Sequence, residues 1–149
     1  MFQTLLVATD GSPAADGALA YAAGLAEEQT GRLVVVHVAE LVPGRSAQVV
    51  RAPEDDVVRR IRGQVASLAD AGIDARFELR EAVVGGPSRE IARIAEQVGA
   101  DLVVIGTVGQ TPGVGVLQGS VAQHIAHFAP CPILIVPTGG SAPLSPAAG

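Results

Sequence analysis

Residues 106–120 read Gly-Thr-Val-Gly-Gln-Thr-Pro-Gly-Val-Gly-Val-Leu-Gln-Gly-Ser, and residues of these types in this order are suited to holding an anion. They follow the apolar run Asp101-Leu-Val-Val-Ile105 and lead into a helical pattern that begins near Ser120. Glycine lets backbone N–H groups approach a phosphate closely, and the first free N–H groups of a helix meet it with the positive end of the helix dipole. Ser120 can cap that helix and hydrogen-bond a phosphate oxygen, and Gly119 leaves the space to do so. Asp10 follows the first apolar run. An aspartate beside a polyphosphate requires a cation between them, so Mg²⁺ is implied. Asp10 has a second reading, as a cap for the first helix, and the two roles are compatible.

Other chemistries are poorly supplied. The chain has no lysine, and its ten formal positive charges are all arginines. A P-loop lysine, a Schiff-base lysine and the lysine of phospho-acceptor receiver domains are therefore excluded. His124 and His127 are three apart on one helical stretch, a spacing that allows two metal ligands, but a third would have to be Cys131 in a Pro-Cys-Pro turn. Packed or surface roles fit all three better. His37 lies inside an apolar strand and reads as a buried, hydrogen-bonded histidine. Ser12 has no histidine near it in sequence and no nucleophile elbow, which leaves serine catalysis without a base. Catalytic residues are accordingly expected to be absent.

The elements that must position these residues alternate strand and helix. Leu5–Ala8 reads as a strand, with Pro13 in the first turn of a helix that Ser12 caps and that stops near Thr30-Gly31. Leu33–Val38 is the second strand, and residues 40–52 read as a loop containing Pro43, Gly44 and Ser46. A helix from Pro53 carries acids in its first turn and ends at Gly72. In the third strand Ala75, Phe77 and Leu79 alternate with Arg76, Glu78 and Arg80, so one face is expected to be wet. Gly85-Gly-Pro-Ser88 turns into a third helix, Leu102–Ile105 is the fourth strand, and 132–136 is the fifth. Residues 138–149 read as a flexible tail.

Apolar strands separated by helices imply an α/β fold with a parallel sheet covered on both faces. Ligands of such sheets sit at the carboxyl ends of the strands, where strand order reverses. In the order 3-2-1-4-5, Asp10 and Gly106 flank one crevice, and the fifth strand is an apolar edge. The expected cover for that edge is the same strand of a second copy, giving a homodimer through residues 132–136. At 149 residues and 48% apolar, the chain makes one well-packed domain. A net charge of −5 with no basic cluster argues against nucleic acid and anionic membrane as partners. No apolar run approaches the roughly 18 residues a membrane span needs, and the N-terminus lacks a signal-peptide pattern. One cysteine excludes an intramolecular disulfide. The cytoplasm is the default location.

The glycine spacing, with Gly106 then two residues, Gly109 then nine residues, and Gly119 followed by Ser120, resembles the ATP-binding signature of the universal stress proteins. Ala8-Thr9-Asp10-Gly11-Ser12, Val36-His37-Val38 and Ala129-Pro-Cys-Pro132 are similar to further landmarks of that family. The resemblance covers residues 3–137. It implies a Rossmann-like five-stranded parallel sheet, commonly dimeric, in a small cytoplasmic regulator that binds ATP and hydrolyses it slowly or not at all. By position, Asp10 would lie near the ribose or the metal-bound phosphates. Val38, through its backbone, and Ala8 would meet the adenine. Gly106, Gly109, Gly119, Ser120 and Val121 would wrap the ribose and phosphates.

The chain departs from that family where Val108 and Gln110 stand, since members often carry basic residues or histidine there. Arg45 and Arg51 are the arginines placed to substitute, although such side chains are ordinarily solvated. Fewer cations favour weak ATP affinity or another adenine nucleotide. With only Asp10 and Glu40 as acids at the crevice and no cation in the glycine loop, transition-state charge would be poorly met. Binding is therefore expected over turnover. A slow Mg²⁺-dependent ATPase and an interaction module that has lost nucleotide binding are the alternatives.

Overall fold

Successive apolar side chains in four of the five strands favour a sheet buried on both faces, and the arrangement follows from that demand. The computed structural model describes residues 2–41, 51–83, 86–107 and 120–137. The expectations placed on 42–50, on Val108, Gly109, Gln110 and Gly119, and on the tail at 138–149 lie outside the described residues. So do the side chains of Arg51 and Ser120.

The elements are β1 (Thr4–Ala8), α1 (Pro13–Gln29), β2 (Arg32–Leu41), α2 (Arg51–Asp70), β3 (Asp74–Val83), α3 (Pro87–Val98), β4 (Leu102–Gly106), α4 (Ser120–Phe128) and β5 (Ile133–Val136). The five strands form one sheet in the order β3-β2-β1-β4-β5, with every pairing parallel. One face carries Leu5, Val7, Leu33, Val35, Leu102 and Val104 against α1 and α2. The other carries Leu6, Val34, Val36, Val103 and Ile105 against α3 and α4. Alternate residues of one strand thus enter two separate cores, and both need apolar side chains.

Several boundaries shift by a residue or two, and three departures from the sequence reading matter more. β2 continues through Ala39, Glu40 and Leu41, because β3 pairs with it as far as Leu41↔Val83. The helix expected from Pro53 begins at Arg51. On β3 the alternation holds through Phe77, which packs on the core and lies under the Arg62 guanidinium at 4.9 Å. Leu79, expected on the covered face, is 42% exposed. It pairs with His37, beyond the last β1 partner, Val36, so it stands where the two strands have outrun the rest of the sheet.

The chain ends of the sheet are pinned by particular contacts. Asp101 precedes β4, and its Oδ2 accepts from the backbone N–H groups of Gln3 (2.7 Å) and Thr4 (2.9 Å). Those two bonds, Thr4 first, hold the carboxyl below the ordinary carboxylate value. At the other end of β4, a Cβ built on Gly106 would lie 2.5 Å from the Ala14 carbonyl oxygen. Only glycine permits the first turn of α1 to sit directly on β4. β5 is an edge strand, half-buried along its length.

Two stability outcomes follow. Gly106→Ala must push back the backbone of α1, which costs about 1–3 kcal/mol; a thermal melt unchanged from the parent would show that α1 can retreat freely. Asp101 contributes stability in full above its ordinary value of 3.8, and the contribution is lost as pH falls through the lowered folded value. Chemical denaturation across pH should therefore show a parent-minus-Asp101→Ala difference that is constant near neutrality and shrinks in acid. A difference independent of pH would mean the carboxylate charge is irrelevant.

Candidate functional site

The sheet order reverses direction between β1 and β4, and a cleft of about 240 Å³ opens at their carboxyl ends. That is where an open parallel sheet leaves backbone and helix termini accessible to a ligand. Its size is at the lower end of small-molecule sites, which run from about 300 Å³. β1 and the turn after it supply Ala8, Thr9, Asp10 and Ser12, and the first turn of α1 adds Ala14 and Ala15. β2 supplies Val36, His37, Val38 and Glu40. Pro87 and Ile91 come from α3, Ile105 and Gly106 from β4, and Val121 and Ala122 from α4.

Strand register explains the backbone chemistry of one wall. β1 pairs with β2 as far as Ala8↔Val36, and the Thr9 N–H donates to the Val36 carbonyl at 2.9 Å. Both backbone groups of one strand residue face the same neighbour, and residues two apart share a side. Val38 therefore turns its N–H and C=O toward the β1 side, where β1 has already ended. Among the described residues no backbone partner meets them. An adjacent donor and acceptor on extended backbone match the edge of a planar heterocycle.

The turn after β1 is locally closed. Thr9 Oγ1 accepts from the Gly11 N–H at 3.1 Å, and Asp10 Oδ1 accepts from the Ser12 N–H at 2.9 Å. Gly11 takes φ +78°, a left-handed conformation suited to glycine. Ser12 is the cap of α1, its Oγ accepting from the Ala15 N–H at 3.3 Å. Asp10 is thus not the helix cap. It is exposed at the cleft mouth. Beneath the turn, His37 is buried and its Nδ1 lies 2.8 Å from the Thr9 carbonyl. A carbonyl only accepts, so Nδ1 carries the hydrogen.

Of the residues singled out from the sequence, Ala8, Asp10, Val38, Gly106 and Val121 line this one cleft. Ser120 begins α4, and the first N–H groups of a helix have no acceptor within it. Glu40 joins Asp10, so the described lining holds two carboxylates and no arginine. Gly106 gains a role the spacing does not reveal, as the point where α1 packs on β4. His124 and His127 are exposed on α4. Cys131 is half-buried in the core beside α3 and α4; burial, then the charge of Asp101, pushes its thiol up. Among the described residues no three histidine, cysteine or carboxylate groups gather as a metal site, and no helix is long and apolar enough to cross a membrane.

Comparison with known proteins places this architecture. The model of the universal stress protein family matches residues 1–137. A universal stress protein of Thermus aquaticus is 34% identical, over 91% of this chain and 99% of its own length. A universal stress protein solved in complex with cAMP is 30% identical with a TM-score of 0.64, over 93% of this chain and 98% of that one. A universal stress protein from Archaeoglobus fulgidus, solved with dAMP, shares the fold at 23% identity and a TM-score of 0.66, over 89% of this chain and 96% of that one. The sheet order, the cleft at its reversal and these matches agree: the chain belongs to the universal stress protein family.

Proposed function

We propose that the cleft binds an adenine nucleotide and that the protein acts as a nucleotide-dependent regulatory module of the cytoplasmic stress response, with little or no hydrolysis. The observation that carries this reading is the open N–H and C=O pair of Val38 at the cleft wall. The base lies against Val38 and Ala8. The ribose and phosphates run toward Asp10, Gly106, Gly109, Gly119, Ser120 and Val121. The relative solved with cAMP, whose ligand combines adenine, ribose and one phosphate, supports the same choice of ligand.

Charge decides how much phosphate the site tolerates. Asp10 and Glu40 repel a bare polyphosphate, and the described lining has no cation to offset them. A polyphosphate would enter with Mg²⁺ between its oxygens and Asp10, whereas a single phosphate has less need of the metal. The same shortage argues for binding over turnover, because phosphoryl transfer needs cationic groups around the transferred phosphate. The β5 edge at residues 132–136 is covered in this reading by a second copy of the chain, which removes an apolar edge from solvent.

Calorimetry on protein stripped of carried-over nucleotide is the direct test, with ATP and Mg²⁺, AMP and cAMP titrated in parallel. Saturable binding at one site per chain is expected for at least one of them, and heats at dilution level for all three would refute the reading. Asp10→Ala is expected to weaken ATP binding about five- to tenfold in Mg²⁺ and by less than twofold in its absence, the scale of one lost charge-assisted contact. Equal losses in both conditions would remove the metal from Asp10.

A further inference from the structure

We propose that Arg60, on a helix that contributes nothing to the described lining of the cleft, is the positioning residue for the Asp10 carboxylate. The inference rests on the adenine-nucleotide reading for its consequence, though not for its geometry.

Val57, Arg60 and Gln64 are three and then four positions apart on α2, so they form one stripe on that helix. The whole stripe meets the β1–α1 turn and the first turn of α1. Arg60 Nη1 donates to the Gly11 carbonyl, and its Nη2 donates to Asp16 Oδ2 at 2.5 Å. Gln64 Nε2 donates to the other oxygen, Asp16 Oδ1, at 2.9 Å. The orientation of that amide is set by Asp16, since a flipped amide would turn an oxygen toward the carboxylate. Gln64 keeps it although its own Oε1 is buried with no partner among the described residues. Val57 completes the contact: a Cβ on Gly11 would lie 3.1 Å from Val57 Cγ1.

The link to the cleft is a single peptide plane. The Gly11 C=O and the Ser12 N–H belong to one rigid amide. Arg60 holds the carbonyl end, and the N–H end donates to Asp10 Oδ1 at 2.9 Å. Rotation of that plane away from Arg60 would withdraw the donor that orients Asp10. Gly11 is the residue best able to permit such a rotation, since glycine has the widest backbone freedom. The guanidinium supplies the restraint that glycine lacks. Its fork geometry suits the task, because one donor takes the carbonyl and the other anchors on Asp16 at the start of a capped helix.

Ion pairing alone would not give this contact importance. Arg60 is half exposed, and Asp16 is about one-third exposed, so the pair is well screened. What matters is where the carbonyl bond points. Arg60 therefore acts through Asp10, and its loss is felt in the metal-dependent part of nucleotide binding rather than in global stability.

The test combines Arg60→Ala, Arg60→Lys, Asp10→Ala and the double variant Asp10→Ala/Arg60→Ala, with calorimetry of AMP and of ATP with and without Mg²⁺. The amide of Ser12 is followed by NMR in the absence of nucleotide. Arg60→Ala should shift the Ser12 amide and speed its exchange with solvent about tenfold, with a melting temperature within about 3 °C of the parent. It should weaken Mg²⁺·ATP binding about five- to tenfold and add nothing to Asp10→Ala, because coupled residues are not additive. Arg60→Lys should restore part of both effects. A Ser12 amide unaffected by Arg60→Ala, or losses that simply add to those of Asp10→Ala, would overturn the proposal. Failure of the parent to bind any nucleotide would sink the functional reading, while the Ser12 measurement would still decide whether Arg60 orients the turn.

Discussion

β1 stops at Ala8 while its neighbour β2 runs on to Leu41, and the cleft exists because of that mismatch. A parallel strand satisfies its backbone through its neighbours, so ending one early strips partners from the next. Val38 is left with an open donor and acceptor on one side, while β3 keeps pairing on the other side and holds the strand straight. The chain leaving β1 must also turn at once into α1 to cover the sheet. That turn brings Asp10 and Ser12 to the same opening. β4, on the far side of β1, closes the space only if its last residue lacks a side chain, because α1 lies on it. The early end of a single strand therefore accounts for the backbone wall, the acidic turn and the need for glycine at 106.

The sheet was legible in the sequence because doubly covered parallel strands demand apolar residues at successive positions, and the runs at 5–8, 33–38, 102–105 and 132–136 satisfy little else. Strand–helix alternation implies the parallel sheet but does not by itself fix strand order; given the order 3-2-1-4-5, which the structure has, the reversal rule puts the crevice between Asp10 and Gly106. Ends were harder to read. Ala39-Glu40-Leu41 carries no strand signal, because an overhanging strand is held by its partner rather than by a covered face. For the same reason Leu79 looked like a core residue and is exposed. Pro13 marks the start of the first helix locally, but Ser12 and Asp10 both fit as its cap in sequence; the bond from the Ala15 N–H selects Ser12. Arg60 left no trace, because its partners at 11 and 16 are brought to it by tertiary packing. Gly106 was singled out for its spacing, whereas the contact that requires it is with α1, which no spacing rule contains.

The electrostatics of the cleft set limits on any chemistry there. Each helix N-terminus provides roughly half a positive charge, and α1 and α4 both begin at the opening. Together they supply about one positive charge against the two negative charges of Asp10 and Glu40. In the proposed reading, the nucleotide is therefore recognised mainly by the shape and hydrogen-bonding edge of its base, with its anionic end tolerated rather than strongly attracted. Arg60, which is bonded to the turn, is committed to Asp16 and the Gly11 carbonyl. Freeing it to meet a phosphate would release the plane that orients Asp10 and leave Asp16 with the Gln64 amide but without its ion-pair partner. The arrangement thus uses the arginine to order an acidic turn instead of presenting a cation to the cleft.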